Sequence, residues 1–334
     1  MTIRLVGLFL LLGAGAAEAQ KTDSVWIRNG DRITGEVKSL SRGLLKYSTD
    51  DLGTIYIEWD KVDRISTSTI VEIRLATGRK FYGPLGLAPS GRLVLGEVTL
   101  QLSEIVGMTP IEGKFLARLN GYFDLGFSFQ KAHSAVQLST GARVQYRGPG
   151  AETTLDLTAF IEDREDASKN SRLSTSLTER LFLSNRWSTG FVVGYDRNDE
   201  LDLSGRARLV GFGTRMLAQS NHIEFLASGG MVLTRERYFT TDSTSTGFEG
   251  LLGVAFRAFR YDQPKLDISL TSQAYPSFSV AGRVRLQSDL RVSYELWKDF
   301  MLTGTLFDSY DSKPPVEDVP KNDYGTTLGI SWTF

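Results

Sequence analysis

The chain ends on the stretch DYGTTLGISWTF, Asp323–Phe334, in which large and small residues alternate strictly. Side chains of a β-strand point to opposite faces in turn, so this alternation divides the stretch into two faces. One face carries Tyr324, Thr326, Leu328, Ile330, Trp332 and Phe334. The other carries only glycine, serine and threonine after Asp323. Such a strand is typical of a membrane β-barrel, whereas a water-soluble sandwich would turn the apolar face toward a core.

The same alternation runs through the whole C-terminal part of the chain. In RVRLQSDLRVSYEL, residues 283–296, the even positions are mostly apolar and the odd positions are polar or charged. Similar segments begin near Leu116, Ala135, Thr153, Arg172, Arg186, Arg206, His222, Thr246, Lys265, Arg283, Met301 and Asp323. Each is long enough for a tilted strand to cross a bilayer, which needs ~9–11 residues. The pattern predicts an all-β chain in which residues 114–334 form a transmembrane antiparallel β-barrel of about 12 strands, closed by pairing of the last strand with the first.

The connections between these segments alternate between long and short. Long connections include EDREDASKN, DRNDELDLS and DSYDSKPPVEDVPKND, and the short ones include RGPGA, SN, YDQP and KD. Outer-membrane barrels have short periplasmic turns and longer external loops. The short set lies on the side that holds both barrel ends, so the pattern predicts that the preceding N-terminal part is periplasmic.

The N-terminus has the features of a secretory signal peptide, predicted over residues 1–19. A positive start is followed by an apolar run and by an A-x-A cleavage site at Ala17–Ala19. The apolar run is shorter than the ~20 residues of a membrane-spanning helix. The chain has no cysteine, which excludes disulfides, thiol nucleophiles and cysteine metal sites. Its net charge of −1 gives no basic footprint for nucleic acid.

Residues 22–112 are predicted to form a periplasmic, duplicated small-β module. The hairpin signal Asn29-Gly30 recurs at Gly78 in VEIRLATGRKFYG, which also aligns Gly83 with Gly35. The module resembles Sm-like small barrels, which bind RNA in other settings, but export and the absence of a basic excess argue against RNA here. The charged run WDKVDRI, Trp59–Ile65, is interpreted as a solvated strand end.

Most of the chain resembles the salt-induced outer membrane protein family of Gram-negative bacteria, a domain family of unknown function. The resemblance rests on LVGFGTRM, GFEGLLGVAFR and SDLRVSYELWKDFMLTGTLFDSYDS in the barrel and on NGDRITGEV with GTIYIEWDKVDRI before it. These motifs are architectural and carry no catalytic residues. The family name implies a response to salt. The terminal face of Tyr324, Leu328, Ile330, Trp332 and Phe334 also resembles the signature that the barrel assembly machinery recognises.

Charged residues of both signs are predicted to line the lumen. They are Asp124, Arg143, Asp156, Arg206, Arg208, Arg285, Asp289, Arg291 and Glu295. Two readings stay open. The charges pair across a narrow lumen and plug it, or they line a water-filled path for solutes.

The residues favour a non-enzymatic outer-membrane protein, either a narrow solute channel or an envelope anchor with an interaction module. The alternative is an outer-membrane lipid hydrolase built on His133 and Ser134, but neighbouring residues of a strand point to opposite faces. The acidic loops around Glu162 and Asp308 lack the ligand spacing of a calcium site, so neither metal nor cofactor is predicted. The expected partners are outer-membrane lipid, lipopolysaccharide, the assembly machinery and a periplasmic partner of the module, and nucleic acid is not among them.

Overall fold

A computed structural model describes residues 21–111, 115, 118–130, 135–148, 150–164, 167–199, 202–239, 244–314 and 320–332. The predicted signal peptide, His133, Ser134 and Phe334 lie outside these ranges. Among the described residues, no helix has the length and apolar character needed to cross a membrane.

The N-terminal module contains nine strands. They are β1 (Asp23–Ile27), β2 (Arg32–Ser41), β3 (Leu44–Ser48), β4 (Thr54–Glu58), β5 (Val62–Leu75), β6 (Lys80–Leu85), β7 (Arg92–Leu95), β8 (Val98–Gln101) and β9 (Ile105–Pro110). Strand β1 pairs with β2 and β5, and β9 pairs with the same two strands, so these four strands close into a ring. Strands β3 and β4 continue from β2, β6 continues from β5, and β7 pairs with β8.

The hairpin turns confirm the predicted duplication. The N–H of Gly30 donates to Ile27 O, and the N–H of Gly78 donates to Leu75 O in the equivalent turn. Both glycines have a positive φ, +100° and +88°, a conformation that residues with a Cβ rarely adopt. The two copies therefore use the same turn chemistry.

A pair of short 3₁₀ turns repeats in the same way. Trp59–Lys61 leads into β5, and Leu102–Glu104 leads into β9. The N–H of Trp59 donates to Gly43 O, just as the N–H of Leu102 donates to Gly91 O. Strand β5 ends the first copy and begins the second, so the two copies share one strand and one core.

The module core is apolar and closed. Its fully buried members include Val25, Leu45, Ile65, Ile73, Leu93, Ile105 and Met108. Trp59 joins the two copies, because its ring is buried and its Nε1–H donates to Leu102 O at 2.7 Å. This hydrogen bond satisfies the indole N–H, which would otherwise be buried without a partner.

The C-terminal part forms one sheet of twelve antiparallel strands, which confirms the predicted fold class and strand number. They are β10 (Leu119–Gln130), β11 (Ala135–Arg147), β12 (Ala151–Arg164), β13 (Ala167–Phe182), β14 (Trp187–Asn198), β15 (Leu203–Gln219), β16 (Ile223–Tyr238), β17 (Thr244–Arg260), β18 (Leu266–Pro276), β19 (Val284–Trp297), β20 (Phe300–Asp311) and β21 (Asn322–Trp332). Each strand pairs with its neighbour in sequence.

The two faces of this sheet differ as the alternation predicts. In β14 the apolar residues Phe191, Val193 and Tyr195 are exposed, whereas the intervening Gly194 is buried and Asp196 is half-buried. Register extends the exposed face to Leu138, Leu155, Leu177, Leu209, Leu233, Leu252, Leu286, Leu306 and Leu328. We call this the outer face, and the opposite, polar face the inner face.

The long connections differ from the prediction. The stretch EDREDASKN, predicted as a loop, is mostly strand, because β12 continues to Arg164 and β13 begins at Ala167. Strands β15, β16 and β17 have 17, 16 and 17 residues, more than the ~9–11 that a bilayer requires. The polar residues at these strand ends keep their backbone groups paired by continuing the ladder, so the hairpins extend as strands.

The first and last strands of the sheet are its edges. Within the described residues no ladder joins β10 to β21, and both faces of β21 are largely exposed. Closure of the barrel-like sheet by these two strands therefore stays a prediction.

Candidate functional site

Strand register places the predicted lumen residues together on the inner face. Arg143 lies directly opposite Asp156, and Arg206 lies directly opposite Glu236. The remaining residues share this face through the successive ladders, as Arg291 does with Thr305 and Thr327.

Most of the inner-face arginines are neutralised by acids. Arg143 Nε lies 2.5 Å from Asp156 Oδ1, and Arg208 Nη2 lies 3.0 Å from Asp196 Oδ2. Further pairs join Arg206 to Glu236, Arg283 to Asp311 and Arg285 to Glu249. Arg285 reaches Glu249 across the intervening strand β18, where Tyr275 lies under its guanidinium. The predicted lumen residues did not include the acids Asp196, Glu236 and Glu249, although each occupies a position of its strand whose side chain points to the inner face.

Three predicted lumen residues have no such partner. Asp124, Asp289 and Arg291 are exposed and make no ion pair with any residue in the described ranges. Asp289 and Arg291 are separated by one residue on β19 and so lie on the same face. Part of the inner face therefore keeps charges that are accessible to water.

Glu295 has a different role from the one predicted. It lies on the inner face but is only 1% exposed, at the short-turn end of β19. Its carboxylate accepts hydrogen bonds from the backbone N–H groups of Lys265 at 2.8 Å and Asp299 at 3.0 Å. It therefore ties two neighbouring turns together and does not line an open path.

An open pocket of about 460 Å³ lies on the inner face, at the side away from the N-terminal module. Arg206, Arg208 and Asp196 supply charged walls, and Phe160 and Leu203 supply apolar ones. The pocket has the mixed polarity of a solute-accessible surface.

The N-terminal module contacts the sheet at its short turns. Tyr261, between β17 and β18, donates its hydroxyl to Arg42 O at 2.9 Å, and Asn221, between β15 and β16, donates to Ile105 O at 2.9 Å. Arg186, between β13 and β14, donates to Ala76 O. All three contacts use a side-chain donor on the sheet and a backbone carbonyl on the module. One feature of the sequence indicates these contacts, a donor side chain in each short turn, but no sequence pattern identifies the acceptors.

Two glycines of the module let the turns approach closely. A Cβ on Gly43 would lie 2.6 Å from Asn221 O, and a Cβ on Gly78 would lie 2.6 Å from Arg186 Cγ. Real Cβ atoms essentially never lie so close to other heavy atoms. Larger residues at these two positions would push the module away from the sheet.

A buried charge group adds a fourth contact. Arg147, at the end of β11, lies 3.7 Å from the carboxylate of Glu72, which is 4% exposed. Glu72 also pairs with Lys80 at 3.3 Å and accepts a hydrogen bond from Tyr82. The guanidinium of Arg147 stacks 3.8 Å from the Phe182 ring centre of the sheet. The module thus meets every short turn from β11 to β18.

The charged run Trp59–Ile65 is part of this contact, which corrects its interpretation as a solvated strand end. Lys61 Nζ lies 2.8 Å from Asp262 Oδ1 in the turn between β17 and β18. The carboxylates of Glu58, Asp60 and Asp262 lie within 4.8 Å of one another around it. Burial raises the pKa of Glu58, and the nearby Asp262 raises it further. The hydrogen bond from Lys61 lowers the pKa of Asp262, so this ion pair is intact at neutral pH and weakens only as the pH falls through that lowered pKa.

The predicted assembly signature lies on the outer face of β21. Tyr324, Leu328, Ile330 and Trp332 are 72%, 77%, 68% and 63% exposed. Phe334 lies outside the described residues. Recognition of this face by the assembly machinery stays a prediction.

Comparison with known proteins gives a family and no further relative. A family model with the description "Protein of unknown function, DUF481" matches residues 123–334. No curated protein and no solved structure matches the chain. The match begins within β10 and covers the rest of the large sheet, while the N-terminal module precedes it.

Proposed function

Because the chain belongs to the family described as "Protein of unknown function, DUF481", we propose a function from the geometry of its sheet. The protein is a non-enzymatic outer-membrane protein whose sheet closes into a barrel in the lipid. Its inner face forms a narrow path for small solutes, and the N-terminal module lies in the periplasm. The observation that carries this proposal is the separation of an exposed apolar outer face from a charged inner face.

The outer face supports the membrane location. Exposed leucines, valines and aromatics continue from strand to strand, and contiguous apolar surface of this extent marks a membrane or protein contact. Outer-membrane strands carry such a band toward lipid, with aromatics near the interfaces. The lipid partners are therefore outer-membrane phospholipid and lipopolysaccharide.

The inner face supports a narrow open path rather than a sealed lumen. A sealed lumen would bury its charges, yet the side chains of Arg143 and Arg208 are 52% and 44% exposed even where they are paired. Rings of charged side chains are one means by which pores select ions. An intermediate barrel of about 12 strands leaves room for a path narrower than that of a 16-stranded porin.

The docked module favours a second function, that of an envelope anchor. Four turns of the sheet hold the module at one end of the structure, which would present it to a periplasmic partner at a fixed distance from the membrane. An anchor needs no conductance, so a measurement of conductance in planar lipid bilayers separates the two functions.

Purified full-length protein in planar lipid bilayers is expected to give small, discrete conductance steps in potassium chloride. The paired arginines narrow the inner face, so we expect steps well below those of a 16-stranded porin measured in parallel. Silent insertion, verified by protease protection of the sheet in the same lipids, would contradict the channel and leave the anchor. Hydrolysis of phospholipid or lipopolysaccharide by the protein would contradict the non-enzymatic assignment and favour the hydrolase.

The connection between β20 and β21, residues 312–321, is expected to face the cell exterior. An epitope tag inserted after Lys313 should be labelled by antibody on intact cells, because the ends of β20 and β21 that flank this connection lie at the end of the sheet opposite the module. A tag in the exposed module turn after Asn29 serves as the matched control and should be labelled only after the outer membrane is permeabilised. The reverse pattern would invert the proposed orientation.

A further inference from the structure

We infer that the solute path passes beside the docked module, along the inner face of β19, β20 and β21, and that Asp289 and Arg291 select the ions that use it. This inference rests on the proposed channel. It differs from a mechanism in which the module must leave the sheet before solutes pass.

The module covers only part of the short-turn end. Its hydrogen bonds and ion pairs go to turns between β11 and β18. The fifth short turn, Lys298–Asp299, forms no hydrogen bond or ion pair with the module in the described part of the chain. Asp299 instead contacts Lys265 and Glu295 within the sheet. The uncovered sector is therefore the one that begins at β19.

The inner-face charges are paired to different degrees along the sheet. In the strands whose turns the module contacts, Arg143, Arg206 and Arg208 each have an acid within ion-pair distance. At the end of β19 away from the module the arginines are also paired with acids. On β19, Asp289 and Arg291 are exposed and have no ion-pair partner in the described ranges. A charge that no side chain neutralises acts on ions in the adjacent water, whereas a paired charge acts weakly on them.

Small and hydroxyl-bearing residues form the wall next to these charges. Arg291 lies opposite Thr305, which lies opposite Thr327. Two residues before Arg291 on β19, Asp289 lies opposite Phe307, which in turn lies opposite Gly325. The Phe307 ring covers Gly325, because a Cβ on that glycine would lie 2.4 Å from a ring carbon of Phe307. The short side chains leave space beside Arg291, and the Phe307 ring narrows the path beside Asp289.

One acid and one base side by side predict weak selectivity in the native protein and opposite selectivity when either is removed. Asp289→Asn leaves Arg291 alone and should shift the reversal potential in a potassium chloride gradient toward anions. Arg291→Gln leaves Asp289 alone and should shift it toward cations. Asp156→Asn makes the same charge change in the covered sector and reports on a path there.

A reducible cross-link keeps the module docked during the same measurement. Lys61 Nζ lies 2.8 Å from Asp262 Oδ1 across the contact, and the chain has no cysteine of its own. In the variant Lys61→Cys with Asp262→Cys, a short bifunctional reagent that forms a disulfide with each thiol spans the gap that the shorter side chains leave. Cross-linking is verified by the mobility shift of the chain after proteolysis between β9 and β10.

We expect cross-linked and reduced protein to conduct alike, and Asp289→Asn and Arg291→Gln to shift the reversal potential in opposite directions in both. Loss of conductance on cross-linking would overturn the inference, because the module would then have to undock. A larger shift for Asp156→Asn than for Asp289→Asn would also overturn it, because the path would then run through the covered sector. No conductance from any variant, including the native chain, would overturn the channel itself and this inference with it.

Discussion

Val193→Arg is expected to lower the free energy of unfolding of the sheet in lipid vesicles by about 2–4 kcal/mol. Val193 lies near the middle of β14 on the outer face, and its direct neighbours Leu177 and Leu209 are exposed apolar residues. Arginine at the midplane of a membrane barrel costs about that much, because its charge enters the hydrocarbon. The measurement is reversible urea unfolding in phospholipid vesicles, followed by the electrophoretic mobility of the folded form.

Val192→Arg is the matched control. It changes the adjacent residue of the same type, but Val192 lies on the inner face between Thr178 and Val210. An arginine there stays on the inner face and out of the hydrocarbon, so it should lower the free energy of unfolding far less. Equal losses for the two variants would contradict the assignment of the faces, and a stable Val193→Arg protein would contradict the lipid contact.

Trp59→Ala is expected to lower the free energy of unfolding of the N-terminal module by about 3–5 kcal/mol. Removing a buried tryptophan loses its apolar contacts and leaves a cavity, and the loss for such changes is typically of this size. The carbonyl of Leu102 would also lose its indole partner. Pulse proteolysis of the full-length protein in increasing urea measures the module, since the unfolded segment is the part that protease cleaves.

Trp26→Ala provides the comparison within the same module. Trp26 is half-buried on β1, and the guanidinium groups of Arg32 and Arg64 lie 5.2 and 5.4 Å from its ring. Cation–π contacts at partly exposed sites contribute roughly 0.5–2 kcal/mol, so the loss should be smaller than for Trp59. A Trp26 effect as large as the Trp59 effect would contradict the placement of the shared core around Trp59.

Local alternation was sufficient to predict the large sheet. Predicted segment starts such as Ala135, Arg186 and Asp323 lie within one residue of the observed strands, because side-chain parity is set by the strand itself. Strand ends were harder to predict, since a run of polar residues is compatible with a loop or with a paired hairpin. The stretch at Glu162–Asn170 shows this ambiguity.

Contacts between distant segments were not predictable from the same pattern. The parity of β19 gave the face of Glu295 but not its hydrogen bonds to Lys265 and Asp299, which depend on how two turns meet. Lys61 and Asp262 are 201 residues apart, and no periodicity connects them. The duplication was visible because Gly30 and Gly78 have the same requirement for a positive φ. The docking of the module was not visible, because its acceptors are backbone carbonyls, which have no sequence signature.

The four-strand ring of the module has a consequence for the newly synthesised chain. Strand β9 is the last module strand to be made, and both β2 and β5 need it as a partner. Until Ile105–Pro110 is available, a nascent chain therefore exposes two open strand edges together with unburied core residues. Open edges of this kind promote intermolecular pairing, so chains arrested before Ile105 should aggregate or be retained by holdase chaperones, and release should follow once Pro110 has emerged.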